Sequence, residues 1–99
     1  MKLEMGLCFE TSTHPAAGVA VAISTCESVD RWLPNIEQVV AFQEDNLAAP
    51  QPEEWTDTLY DNGTKEFAYT AQITVLGSEF GPKEAGQAHA YRCVALPSS

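Results

Sequence analysis

The amino-acid sequence predicts an α+β fold, a mainly antiparallel sheet of about five strands in the order β-β-α-β-β-β with one helix packed on one face. Three observations carry that expectation. A period of two runs through 2–10, 18–25 and 66–75, and it turns helical between 27 and 47. Asn62-Gly63 then stands between two strand-like runs, the residue pair that suits a tight hairpin. With 99 residues the chain holds one core of this kind, so residues 1–99 are expected to form a single α+β domain.

In the first segment Leu3, Met5, Leu7 and Phe9 share one face, with Lys2, Glu4, Gly6, Cys8 and Glu10 opposite, the pattern of a half-buried strand. Thr11 to Pro15 breaks it. Residues 18–25 place Val19, Val21 and Ile23 against Ala20, Ala22 and Ser24. Pro15 and the alanines would also suit a helix. The strict β-branched alternation and Gly18 favour a central strand, paired as a hairpin with 2–10.

Between Glu27 and Leu47 the residues Trp32, Leu33, Ile36, Val39, Val40, Gln43 and Leu47 fall along one helical stripe, and Phe42 lies off it. Ser28 or Asp30 would cap this helix, with Pro34 in its first turn or at a break between two short helices. Ala48 to Glu54 reads as a proline-punctuated loop. After the type I′ turn expected at Asn62-Gly63, a long strand carries Phe67, Tyr69, Ala71, Ile73 and Val75 on one face. Gly77 to Gln87 reads as a loop with Phe80 as its plug, and Ala88 to Leu96 as a last strand. On that strand Val94 and Leu96 share one side, and Tyr91 and Cys93 the other.

Composition excludes several classes of function. A hydrophobic share of 44% argues against a disordered acidic tail, and no apolar run is long enough to span a membrane. A formal charge of −9 argues against direct binding of nucleic acid or an anionic membrane surface. The first ten residues carry Glu4 and Glu10 and no small-residue cleavage site, so no signal peptide is expected. Three widely spaced cysteines, Cys8, Cys26 and Cys93, read as reduced thiols of a cytoplasmic protein. Cys26, at an expected helix start, is the one with a physical case for reactivity. Asn62-Gly63-Thr64 fits a glycosylation sequon but reads as a turn.

No phosphate loop, nucleophile elbow or zinc-protease motif is present, so no cofactor is expected. His14 and His89 would join a cysteine in a metal site only if the fold converged them, and their spacing does not suggest it. A modest acid–base pocket is conceivable from His89, Tyr91 and Arg92 with Glu79 or Glu84. The sequence does not point to catalysis there. Small-molecule binding or a small enzyme site, between helix and sheet or at a dimer interface, is the alternative reading.

Acids cluster more informatively. Between Trp32 and Thr64 stand seven, Glu37, Glu44, Asp45, Glu53, Glu54, Asp57 and Asp61, with no Lys or Arg among them. Glu53, Glu54, Trp55, Asp57, Tyr60 and Asp61 form the candidate partner-binding surface, acids beside aromatics that suit a basic protein. Trp55 and Tyr60 are expected half exposed, whereas Trp32, Phe67 and Tyr69 look like core. The preferred reading is a non-enzymatic interaction module of accessory or inhibitor type, by compositional analogy the kind that mobile elements and phages encode. Open edges at the first or last strand predict a homodimer.

Overall fold

Met5 and Gly6 decide how the chain begins. Both take positive φ, 50° and 75°, the geometry of a two-residue hairpin turn, and Glu4 pairs with Leu7 across it. The expected single strand over 2–10 is therefore two, β1 (Lys2–Glu4) and β2 (Leu7–Phe9). Leu7 and Phe9 stay buried, while Leu3 and Met5, assigned to the same face, are exposed. The computed structural model describes residues 2–45, 51–74 and 76–97. Leu47 and Val75, placed above on the helix stripe and a strand face, lie outside them, as do Ala48 to Pro50 of the proline loop.

After β3 (His14–Ala17) the segment expected as a central strand is a helix, α1 (Val19–Glu27). Gly18 explains the change. Its extended backbone caps the helix, and a Cβ there would lie 3.1 Å from the Ala85 carbonyl oxygen. Val19 N–H donates to that same oxygen at 3.0 Å. Val19, Ala22 and Cys26, spaced for a helix, are buried, whereas Val21 from the supposed strand face is exposed. With both faces apolar, alternation alone had no power to choose a period. Asp30, at φ 57°, turns the chain out of the helix, and Arg31 N–H returns to Cys26 O at 2.9 Å.

The long helix expected over 27–47 is correspondingly short: α2 (Ile36–Glu44). Its cap is Asn35, not Ser28 or Asp30. Asn35 Oδ1 accepts from Gln38 N–H, and Gln38 Oε1 from Asn35 N–H, both at 2.8 Å. Trp32 is not core: it forms an isolated bridge with Val94 and stays partly exposed, while Phe42, set off the stripe, is buried.

The rest is a meander, β4 (Glu54–Asp61), β5 (Glu66–Thr74) and β6 (Gly77–Glu84), followed by β7 (His89–Tyr91) and β8 (Val94–Ala95). The hairpin at Asn62 forms, but Asp61 pairs with Glu66 and a four-residue loop replaces the type I′ turn, with positive φ at Gly63 alone. Asn62 Oδ1 holds the loop, accepting from Thr64 and Lys65 N–H. Gly77–Gln87 is not a loop. Gly77, at φ 117°, returns the chain, and β6 pairs with β5 from Thr74–Gly77 to Phe67–Glu84, leaving Phe80 exposed instead of plugging anything.

The fold is thus α+β with two helices and two mostly antiparallel sheets, ordered β1-β2-β8 and β3-β7-β4-β5-β6. The single sheet, the lone helix and the pairing of 2–10 with 18–25 are corrected accordingly. The expected last strand divides at Arg92-Cys93, where the chain leaves one sheet for the other; Val94 is buried and Leu96 exposed. Glu10 to Thr13 makes the reverse passage between β2 and β3. One core cluster joins α1 to Trp55, Ala68, Tyr91 and Cys93; a second gathers Leu7, Phe9, Phe42 and Val94.

Candidate functional site

Both passages between sheets meet beside the end of α1, and the residues there form a tight polar cluster. Glu10 Oε1 accepts the Cys93 N–H at 2.6 Å and lies 2.8 Å from His14 Nε2, while Oε2 accepts from Arg31 at 2.5 Å. The His14 ring stacks flat on Tyr91 with centroids 4.7 Å apart. Its Nε2 is 3.8 Å from Cys93 Sγ. Cys93 is bonded to Cys26, which overturns the expectation of three reduced thiols; Cys26 ends a helix rather than starting one, and Cys8 is the free cysteine. An open hollow of about 380 Å³, lined by Glu10 to Pro15, lies over the cluster.

A second polar group sits deeper. Arg92 Nε donates to Glu54 Oε1 at 2.7 Å, with side-chain exposures of 5% and 1%. Gln43 Nε2 donates to the other Glu54 oxygen at 2.7 Å and to Pro52 O, while Gln43 Oε1 accepts the Ile73 N–H. The Arg92 guanidinium lies 4.4 Å over the Phe42 ring, itself stacked on Phe9. Its remaining N–H groups reach the Glu10 and Thr11 carbonyls and Gln51. Among the described residues no buried side-chain nitrogen or oxygen lacks a partner.

These contacts redistribute the candidate residues. Glu54 and Trp55, assigned to a partner surface, are fully buried, and Trp55 Nε1 donates to Ala17 O at 2.6 Å. Glu53 is half-buried against His89 Nδ1 at 3.0 Å, and His89 stands edge-on to Trp55. His89, Tyr91 and Arg92 therefore engage Glu53, His14 and Glu54 separately and do not converge on one pocket. Glu84 is spent on Lys65, whose ammonium is held above its usual pKa by that hydrogen bond and charge. Asp57, Tyr60 and Asp61 remain exposed, as placed. Desolvation raises the Asp57 carboxyl above the ordinary carboxylate pKa, with its own backbone N–H working the other way.

Register brings Tyr60 beside Phe67, with rings 5.9 Å apart, and pairs Phe67, Tyr69 and Ala71 with Glu84, Pro82 and Phe80. Alternation sets Phe67, Tyr69 and Ala71 on one face of the meander. The α2 side chain of Gln43 reaches the Glu54–Ile73 end of it, and Tyr60 and Phe80 stand exposed at 51% and 60%. Asp57, Asp61, Glu66, Glu79 and Glu84 punctuate the same three strands, against Lys83 on β6 and Lys65 in the loop between β4 and β5.

Phe67 and Tyr69, expected as core, are half-buried here. Sequence reasoning missed Phe80 and Pro82 by reading a loop, and missed Glu10, Arg31 and Gln43 because their contacts span up to 83 residues. No helix among the described residues is long and apolar enough to cross a membrane. Compared with known proteins, the chain matches no family model, no curated protein and no solved structure.

Proposed function

We propose that the chain is a non-enzymatic interaction module that takes a basic segment of another protein across the open face and free edge of the β4–β6 meander. The observation that carries this reading is the exposed set Tyr60, Phe80 and Pro82 beside half-buried Phe67 and Tyr69, on strands dominated by acids. Exposed aromatics give contact area at small entropic cost, and the net charge of −9 steers a cationic partner toward them. β6 lies at the sheet edge, so its outer backbone groups suit an added strand. An accessory or inhibitor role of the mobile-element type would use this surface against a basic protein.

The homodimer expected from the sequence is the second use of the same edge, and bringing together two chains of −9 each opposes it. Cytoplasmic placement loses the support of three reduced thiols. The Cys26–Cys93 bond persists in an oxidising compartment and opens to two thiols in a reducing one.

The test uses a synthetic peptide of alternating lysine and leucine. Titrated at low salt, it should shift the amide signals of Tyr60, Phe67, Tyr69 and Phe80, weaken as salt rises, and lose affinity in Tyr60→Ala/Phe80→Ala and in Asp57→Lys/Asp61→Lys. Shifts mapping elsewhere, a salt-insensitive dimer that buries β6, or unchanged binding by both variants would overturn the proposal.

A further inference from the structure

Glu10, His14 and Cys93 each offer a ligand atom, and the three atoms lie within 4.8 Å of one another. The Cys26 sulfur, bonded to Cys93, is the fourth donor at the same point. We infer that, when the disulfide is reduced, Cys26, Cys93, His14 and Glu10 form a four-coordinate Zn²⁺ site.

Donor chemistry favours zinc, and the two spacings around His14 stand near those the ion needs, with Glu10 and Cys93 drawing in from the 4.8 Å limit of the group. Two thiolates, an imidazole and a carboxylate suit this borderline-soft ion, which prefers a tetrahedral set. Bonds of about 2.3 Å to sulfur and about 2.0 Å to nitrogen place those two ligands about 3.5 Å apart at a tetrahedral angle. Cys93 Sγ and His14 Nε2 stand 3.8 Å apart. The His14–Glu10 contact of 2.8 Å widens by about half an ångström as the ion replaces the hydrogen bond. Once the S–S bond is cut, the sulfurs separate to about 3.8 Å, the spacing of two thiolates on one zinc.

The surroundings fit a metal as well as the ligands do. Arg31 holds the second Glu10 oxygen, and the Cys93 N–H holds the first, so the carboxylate is already oriented. Tyr91 fixes the plane of the His14 ring by stacking on it. Zinc with two thiolates and one carboxylate carries a net charge of −1, which Arg31 offsets. The hollow lined by Glu10 to Pro15 gives the ion a path in, since both cysteines are otherwise fully buried. Two elements that switch sheets and the end of α1 would be tied together in either state, by a covalent bond or by the ion.

The chemistry balances with a trialkylphosphine as reductant. Phosphorus takes an oxygen from water and becomes the phosphine oxide, and the S–S bond accepts two electrons and two protons to give two thiols. Zinc then displaces both thiol protons to solvent.

Cobalt(II) is the first probe, followed by displacement with zinc. The phosphine-reduced chain should bind one equivalent of Co²⁺ with the visible bands of four-coordinate cobalt and a thiolate charge-transfer band, both bleached by Zn²⁺. The disulfide form should show neither. His14→Ala, confirmed folded in its disulfide form by circular dichroism, should bind the reduced-state metal at least tenfold more weakly, and Cys8→Ser should bind as the parent does. X-ray absorption at the zinc edge should give two sulfur and two lighter ligands. A reduced chain that takes up no cobalt, one that stays unfolded with zinc present, or equal affinity in His14→Ala would overturn the inference.

Discussion

Arg92→Met tests the internal ion pair directly, because methionine keeps an unbranched stem over Phe42 while removing the charge that faces Glu54. The Glu54 carboxyl group then sits at 1% side-chain exposure without its charged partner, with Gln43 as the one side-chain donor left to it among the described residues. Removing one partner of a buried pair costs about 3–5 kcal/mol, several times the value of an exposed pair. For a domain of this size each kcal/mol moves Tm by about 4–8 °C, so the variant should melt at least about 12 °C lower. Glu54→Gln should cost a similar amount by stranding the guanidinium. The double variant is the decisive arm. The amide oxygen that Glu54→Gln leaves in place can still accept from Gln43. The Glu10 and Thr11 carbonyls released by Arg92 border the open hollow, where water replaces the lost donors. The amide N–H2 that Glu54→Gln introduces faces the methionine without an acceptor, so Glu54→Gln/Arg92→Met should recover most of the loss and end about 1–3 kcal/mol below the parent. Urea denaturation of all four proteins at constant pH measures the cycle. A single substitution costing under about 1 kcal/mol, or a double that equals the sum of the singles, would mean that Arg92 and Glu54 are not coupled as a buried pair.

Replacing Gln43 by leucine strands the Ile73 N–H and one Glu54 oxygen, at about 1–3 kcal/mol for each group, and should speed hydrogen exchange at the Ile73 amide. Cys26→Ser/Cys93→Ser opens a link between residues 67 apart, which loop closure values at about 4 kcal/mol; urea midpoints without reductant and without added metal give the comparison. Asp57→Asn acts with the opposite sign to most acid removals. The Asp57 pKa is raised in the fold above 3.8, so its ionisation costs stability above the folded-state value and nothing below 3.8; the variant should melt at or above the parent near neutral pH and lose that advantage in acid. A Tm-against-pH series in which the variant melts lower at neutral pH would contradict it.

The parts of the fold legible in the sequence are those settled by neighbours. The Asn62-Gly63 hairpin, the outgoing strand from Glu66 and a helix through Ile36–Glu44 each rest on contacts a few residues apart. The first strand and the 18–25 segment failed for one shared reason, that apolar alternation is a weak guide where both faces are apolar or a turn is hidden. Met5-Gly6 looks like a continuing strand until φ is known, and Gly18 looks like a strand residue until Ala85 arrives against it from 67 positions away. Phe80 and Pro82 read as loop because an edge strand tolerates the glycine and proline that a central one excludes.

The candidate site was harder to see, because charge in a sequence carries no address. Glu54 looks like one more surface acid among seven, and what removes it from the surface is Arg92, 38 residues on. Glu10 is taken up in the same way by Arg31 and the Cys93 N–H. With Arg31 and Arg92 committed to these two carboxylates, the other bases of the chain are Lys2, Lys65 and Lys83, and Lys65 faces Glu84. The outer surface is therefore more uniformly acidic than the ratio of acids to bases in the chain suggests. That one-sidedness sharpens the field met by an approaching cation, while buried Arg92 and part-buried Arg31 hold together the elements from which the acidic meander projects. Loss of Arg92 should then weaken peptide binding only as far as it unfolds the chain, which separates its role from that of Asp57 and Asp61.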